Sequence, residues 1–207
     1  MPPAAEWLLD NEYMLESAAR DVQKNLPLKF YKELPSLSSG KLKGLPRIYS
    51  LARHLVFHTD MRLDEESILA FIESYQTTNP LSIGELWVVP QMLRCVLLEG
   101  IAQIASRTMD DLREHEMADF WANRLITANR RDPNYVFSIM SELSKSRKDP
   151  SHYFATQLID YLYDEGNVLG AVQSWLERTF HKNTAELGQQ VTSRQTKDQL
   201  SIGNAFG

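Results

Sequence analysis

Two histidines and an aspartate stand at a spacing that could serve a metal ion. His54 and His58 are four residues apart, which places both imidazoles on one face of a helix, and Asp60 follows just beyond them. Two imidazoles at this spacing can bind one metal ion, and a carboxylate can complete or orient the site. No third ligand stands in register, so the sequence favours a packing or helix-capping role for the pair over a metal-dependent enzyme.

Three charged residues, Glu85, Arg94 and Glu99, lie within the most apolar predicted helix. An unpaired charge in such a place is costly, so each is expected to find a partner or to face a wet cleft. Glu85 follows Ser82 at the spacing of a capping box, which gives it a structural role. For Arg94 and Glu99, a structural ion-pair network is favoured over contact with a ligand.

Aromatic residues near predicted loop or helix starts are of the kind on which a sugar ring can stack. These are Tyr31, Tyr49 and Trp87. Most aromatic side chains in such positions belong to the core, and a core role is favoured here too. The remaining tryptophans lie on apolar stripes and are predicted to be core residues: Trp7, Trp121 and Trp175.

The composition excludes several functional classes. The chain has 207 residues, 43% of them hydrophobic, and its 22 Lys+Arg against 27 Asp+Glu give a net charge of −5. These values are typical of a folded domain, and the acidic balance argues against a nucleic-acid or anionic-membrane binder. Scattered arginines could bind phosphate but form no patch, so a solvated face is expected for Arg47, Arg53, Arg130 and Arg131. Glycine-rich phosphate loops, G-x-S-x-G, CxxC and H-E-x-x-H are all absent from the sequence.

Hydrophobic spacing predicts an all-α protein, an antiparallel array of about eight or nine helices. The first helix begins near Trp7 and runs for about twenty residues, whereas residues 26–44 are a predicted loop with at most one helical turn. A long apolar helix opens after Ser82 and is predicted to end near Ser106. We expect two subregions, residues 1–106 and residues 107–207.

Two later helices are predicted to begin at Asp-Pro pairs, Asp132-Pro133 and Asp149-Pro150, with the carboxylate as the cap.

Membrane insertion is not expected. The most apolar stretch, residues 86–105, is interrupted by polar residues, so no uncharged run reaches the roughly 18–20 residues that span a bilayer.

Several sequence blocks in the first half of the chain resemble a known family. They read WLLDNEYMLE (7–16), LPLKFYKELP (26–35), GLPRIYSLARHLVFHTD (44–60), LDEESILAFIESYQ (63–76) and PLSIGELWVVPQMLRCVLLEGI (80–101). In this order, the blocks resemble the N-terminal part of cyclic β-1,2-glucan synthases. The closing LSIGNAFG (200–207) resembles a later block of the same region, so the chain is expected to continue past residue 207. Between about 107 and 199, only the helical character and the Asp-Pro starts match.

The resemblance implies a very large inner-membrane parent enzyme. That parent polymerises glucose from UDP-glucose with a divalent metal, cyclises the chain and trims it with a phosphorylase-like C-terminal region. This chain would be a helical piece on the cytoplasmic side of the inner membrane, ahead of the membrane helices. Its expected partners are the remainder of the synthase and β-1,2-glucan, with no nucleic acid, and no cofactor is expected within this segment.

The resemblance carries over no catalytic residue. Transferases of the parent's type need Asp-x-Asp and Gln-x-x-Arg-Trp motifs, and the sequence contains neither. The residues that match the family pattern are expected to contact a ligand or a neighbouring domain, or equally to hold helix junctions together: Arg47, His58, Asp60, Glu85, Trp87 and Arg94. The implied function is a non-catalytic accessory or scaffolding domain of the synthase. The alternative is a stand-alone helical module that binds carbohydrate, through Tyr31, Tyr49 or Trp87, or another protein.

Overall fold

The computed structural model describes residues 3–181 and 183–206, and this part of the chain is all-helical. Its helices are α1 (Pro3–Asp10), α2 (Glu12–Asn25), α3 (Leu28–Glu33), α4 (Arg47–His58), α5 (Glu65–Gln76), α6 (Ile83–Arg131), α7 (Tyr135–Ser146), α8 (His152–Tyr161), α9 (Gly166–Phe180) and α10 (Thr184–Phe206). The predicted all-α class is confirmed. The described residues form ten helices, where the sequence predicts eight or nine.

The N-terminal residues form more helices than predicted. The expected first helix is divided at Asn11, whose side-chain amide donates to the carbonyl oxygen of Trp7 at 2.8 Å. Asparagine disfavours a helix interior because its side chain bonds to nearby backbone groups in this way. The predicted loop over residues 26–44 also contains α3, which begins directly after Pro27.

Helix α6 is much longer than predicted. It runs for 49 residues and continues past Ser106 to Arg131. The sequence between Gly100 and Pro133 contains neither glycine nor proline, so nothing there breaks the helix. By length and composition, α6 is the one candidate membrane span in the described part of the chain, a test that buried core helices also pass.

The chain forms two compact units. The first comprises residues 3–106 and 198–206, and the second comprises residues 107–197. Helices α6 and α10 therefore each contribute residues to both units. Ile202 of α10 is buried in the core of the first unit, an arrangement that a linear division at residue 106 does not capture.

The core of the first unit is built on α4 and the beginning of α6. Apolar residues at helical spacing put one side of each helix inside: Ile48, Leu51, Leu55 and Val56 from α4, and Val88, Met92 and Val96 from α6. Helix α5 adds partly buried residues at i, i+3, i+4 and i+7, the spacing of one helix face: Ile68, Phe71, Ile72 and Tyr75.

The core of the second unit centres on α8 and α9. Helix α9 packs against both α7 and α8. The fully buried side chains of this unit include Leu125, Leu143, Phe154, Leu158, Leu162, Leu176 and Leu187. Trp121 and Trp175 belong to this core, as predicted, and Trp7 packs against the core of the first unit.

The cap of α8 is Ser151, not the predicted Asp149. The Ser151 hydroxyl oxygen accepts a hydrogen bond from the Phe154 amide at 3.0 Å, whereas Asp149 is exposed. We expect Ser151→Ala to lower the free energy of unfolding by about 1 kcal/mol, and Asp149→Ala to change it by less than about 0.5 kcal/mol. Equilibrium urea unfolding measures both. A larger loss for Asp149→Ala would contradict this assignment.

Candidate functional site

An ion pair between a half-buried arginine and a fully buried glutamate joins the first residue of α4 to the first turn of α6. Arg47 Nε donates to Glu85 Oε1 at 2.9 Å, and Arg47 Nη2 donates to Glu85 Oε2 at 2.7 Å. Arg47 Nη2 also donates to the carbonyl oxygen of Pro80 at 3.1 Å. The two residues are 38 positions apart, and the Glu85 side chain is 0% exposed. The fold therefore brings together two of the residues singled out in the sequence, in a bidentate pair.

The predicted capping box of α6 is confirmed. The Ser82 backbone amide donates to Glu85 Oε2 at 2.9 Å, and the Glu85 amide donates to the Ser82 hydroxyl at 3.3 Å. Burial alone raises the pKa of Glu85, but the hydrogen bonds from Arg47 and Ser82 outweigh it and hold that pKa below its ordinary value. The lowered pKa favours the charged form of Glu85, and both of its carboxylate oxygens are engaged in structural contacts.

A second network surrounds Glu99. The Tyr49 hydroxyl donates to Glu99 Oε2 at 2.6 Å, Gln103 donates to Glu99 Oε1 at 3.1 Å, and Arg53 forms an ion pair with the same carboxylate. The Arg53 guanidinium also lies 4.9 Å from the centre of the Phe57 ring. Burial and the hydrogen bond to Glu99 raise the pKa of Tyr49. The ion-pair role predicted for Glu99 is therefore confirmed. The solvated face expected for Arg47 and Arg53 is wrong, because each guanidinium pairs with a glutamate of α6.

Arg94 does not take part in such a network. It is exposed on α6 and lines a groove of about 470 Å³ beside Tyr13 and Met14 of α2. Within residues 3–181 and 183–206, no ion pair to Arg94 is found. The predicted ion pair is wrong for this residue, because its position on α6 faces the groove rather than the core. Arg94 remains a candidate for contact with a ligand or a neighbouring domain.

A cleft runs between the loop over residues 37–42 and the exposed side of α4. It has a volume of about 730 Å³, and α4 contributes Arg53, His54, Phe57 and His58 to its wall. The loop is held by hydrogen bonds from the Leu37 amide to the Leu45 carbonyl and from the Gly44 amide back to Leu37, both 2.9 Å long. The cleft therefore has defined walls on both sides.

The two histidines stack in this cleft but do not form a metal-ligand group. Their ring centres are 6.3 Å apart, and His54 Nδ1 lies 2.7 Å from the Ser50 carbonyl oxygen. Asp60 follows α4 in a left-handed conformation with φ 48°, and its carbonyl oxygen accepts from Asn204 at 3.1 Å. Among the described residues, no set of three His, Cys, Asp or Glu side chains is arranged to hold a metal ion.

The three proposed sugar platforms differ in exposure. Tyr31 packs against the first core, and burial raises the pKa of its hydroxyl. Tyr49 is half-buried with its hydroxyl bound to Glu99. Trp87, in contrast, is 78% exposed, and Ile83, one turn earlier on α6, is 74% exposed. The core role favoured for these aromatic residues is therefore wrong for Trp87, whose ring is open to solvent.

The second unit contains a groove that the sequence does not predict. Of its lining residues, the sequence analysis named only Arg131. The groove lies between the end of α6 and the start of α7 and has a volume of about 790 Å³. Phe120, Arg124 and Tyr135 also line it. Arg130, the neighbour of Arg131, instead pairs with Glu165 at 3.4 Å. Phe120 and Arg124 are one helical turn apart, but this spacing is too common to predict a site.

No protein-family model matches the chain. The chain is similar to the cyclic beta-(1,2)-glucan synthase NdvB of Rhizobium meliloti (strain 1021), with 36% identity over 204 residues. The similarity covers 98% of this chain and 7% of that protein, so the chain spans less than a tenth of the length of its relative. The resemblance to cyclic β-1,2-glucan synthases is confirmed. It extends through residues 107–199, where the sequence blocks alone match only in helical character.

Proposed function

We propose that the chain is a non-catalytic accessory domain of a membrane-bound cyclic β-1,2-glucan synthase. The observation that carries the proposal is 36% identity over 98% of this chain to 7% of a glucan synthase. The partner in this proposal is the remainder of the synthase, since the matched region is only 7% of the related enzyme. In this proposal, the domain lies on the cytoplasmic side of the inner membrane and docks on the transferase or membrane portion, which uses UDP-glucose and a divalent metal.

The non-catalytic role is supported by the engagement of two carboxylates on α6, Glu85 and Glu99. A glycosyltransferase needs carboxylates that can reach a metal ion or an acceptor. Glu85 is buried and bound to Arg47 and Ser82, and Glu99 is bound to Tyr49 and Arg53. The sequence also lacks the Asp-x-Asp and Gln-x-x-Arg-Trp motifs expected of the parent's type.

The docking surface is best assigned to the start of α6. Ile83 and Trp87 lie on one face of this helix and are both largely exposed. Helix α3 lies close to the start of α6, since a side-chain carbon added to Gly84 would lie 3.8 Å from the ring of Phe30. Neighbouring exposed apolar side chains with a tryptophan among them are typical of a protein interface.

Truncation of Trp87 is expected to weaken docking. Buried interface tryptophans commonly contribute 2 kcal/mol or more, so Trp87→Ala should reduce the affinity for the remainder of the synthase by about 30-fold. The measurement is co-purification and binding of the tagged chain with the rest of the synthase, produced separately. Leu69→Ala is the matched control, because Leu69 is an exposed apolar residue on α5 of the same unit.

Two results would contradict the proposal. One is equal binding by the wild-type chain and the Trp87→Ala variant, which would remove the assigned surface. The other is normal glucan synthesis by a synthase from which this domain has been deleted, which would remove the accessory role itself.

A further inference from the structure

The groove of the second unit has a lining unlike that of the docking surface. It is open, about 790 Å³ in volume, and flanked by exposed aromatic rings from two different helices. Phe120 of α6 is 50% exposed and Tyr135, the first residue of α7, is 60% exposed, whereas the neighbouring Trp121 is buried. Exposed aromatic rings that line a groove provide apolar platforms for the flat faces of a ligand.

Planar polar side chains also line this groove. Asn123 Nδ2 donates to Asp119 Oδ1 at 3.0 Å, which fixes both groups toward one another. The Arg131 guanidinium also lines the groove, and no ion pair holds it within the described part of the chain. Amide, carboxylate and guanidinium groups together can donate to and accept from several hydroxyl groups at once.

The charges of the groove are balanced. Arg124 is paired with Glu142 at 2.6 Å, and its guanidinium lies 5.6 Å from the Phe120 ring centre and 4.9 Å from that of Trp121. Of the other lining residues, Arg131 and Asp119 carry opposite formal charges that sum to zero. A phosphate-bearing ligand requires an excess of cations, which this groove does not offer, so the lining suits a neutral ligand.

We infer that this groove binds a neutral oligosaccharide, with Phe120 and Tyr135 stacking on sugar rings and Asn123, Asp119 and Arg131 hydrogen-bonding to hydroxyl groups. The identity of the sugar rests on the proposed function, which makes it a linear β-1,2-linked glucan. The site lies in the second unit, whereas the aromatic residues that the sequence analysis put forward for sugar binding belong to the first unit.

The test is titration of the chain with linear β-1,2-linked gluco-oligosaccharides, followed by calorimetry and tryptophan fluorescence. Trp121 is a built-in reporter, because its ring centre is 5.5 Å from that of Phe120. We expect saturable binding that Phe120→Ala and Tyr135→Ala each weaken at least tenfold. Asn123→Ala, at an exposed position that leaves the core intact, should weaken binding at least threefold.

Phe137→Ala is the matched control, because Phe137 is a 73% exposed aromatic residue on α7 that does not line the groove. It should bind the oligosaccharide as the wild-type chain does. Absence of binding up to millimolar oligosaccharide would overturn the inference, as would binding that the three groove variants leave unchanged. Loss of binding in Trp87→Ala alone would place the sugar on the first unit and would also overturn it.

The two proposals fail separately. A chain that docks on the synthase but binds no oligosaccharide contradicts the groove assignment and leaves the accessory role standing. A chain that binds oligosaccharide through the groove but does not dock supports the groove assignment and contradicts the docking role.

Discussion

Replacing Arg47 with alanine is expected to lower the free energy of unfolding of the first unit by about 3–5 kcal/mol. The reason is the environment of Glu85, which is fully buried and receives two hydrogen bonds from Arg47. Removing the guanidinium leaves a buried carboxylate whose desolvation only Ser82 still offsets. An ion pair at the surface would be worth far less, because water replaces the lost partner.

Equilibrium urea unfolding followed by circular dichroism measures the effect. Hydrogen exchange of the α4 amides then assigns it to the first unit. Arg20→Ala is the control, because Arg20 and Glu16 form an exposed pair one turn apart on α2, and its loss should cost less than about 0.5 kcal/mol.

A double variant separates the cost of an unpaired charge from the value of the pair. Arg47→Met with Glu85→Leu removes both charges, and it should recover most of the stability that Arg47→Ala loses. If Arg47→Ala and Arg20→Ala cost the same, the pair is not buried in solution as the structure has it.

The other large effect is expected in the second unit, where Phe154→Ala should cost about 3–5 kcal/mol. Phe154 is fully buried in the core that α8 shares with its neighbours, and the Arg147 guanidinium lies 5.0 Å from its ring centre. The substitution removes the ring from a close-packed interior and leaves a cavity that the surrounding helices fill only in part.

Thermal and urea unfolding measure the loss, and hydrogen exchange over residues 107–197 should show where protection falls. Phe137→Ala removes the same aromatic group from an exposed site and should change the free energy of unfolding by less than about 0.5 kcal/mol. Equal effects of the two substitutions would contradict the packing described for this unit.

Local features of the first unit were predictable because they depend on neighbours in the chain. Ser82 and Glu85 form the capping box that their spacing predicts, and Asp64 caps α5 by accepting from the Ser67 amide at 2.8 Å. Three-residue spacings of this kind fix which backbone groups a side chain can reach. The apolar periodicity of α4 and α5 likewise identified their inward-facing residues.

Two other predictions from local sequence, the cap of α8 and the end of α6, are wrong. Asp149 was expected to cap α8, but Ser151 lies closer to the free amides of the first turn and takes that role. The end of α6 expected near Ser106 is wrong because helices end where a breaker or a cap stops them, and neither glycine nor proline occurs between Gly100 and Pro133.

The sequence by itself determined the all-helical class, most helix starts and the resemblance to a glucan synthase. Apolar periodicity, helix caps and the order of sequence blocks depend only on residues that are close together in the chain. The tertiary structure alone decided which charges are paired and which aromatic rings are exposed. Arg47 pairs with Glu85 across 38 residues, whereas Arg94 has no counter-ion among the described residues. The Trp87 ring is exposed, whereas the Tyr49 hydroxyl donates to Glu99. These outcomes depend on which helix faces come together, and that is a property of packing between distant segments rather than of spacing along the chain.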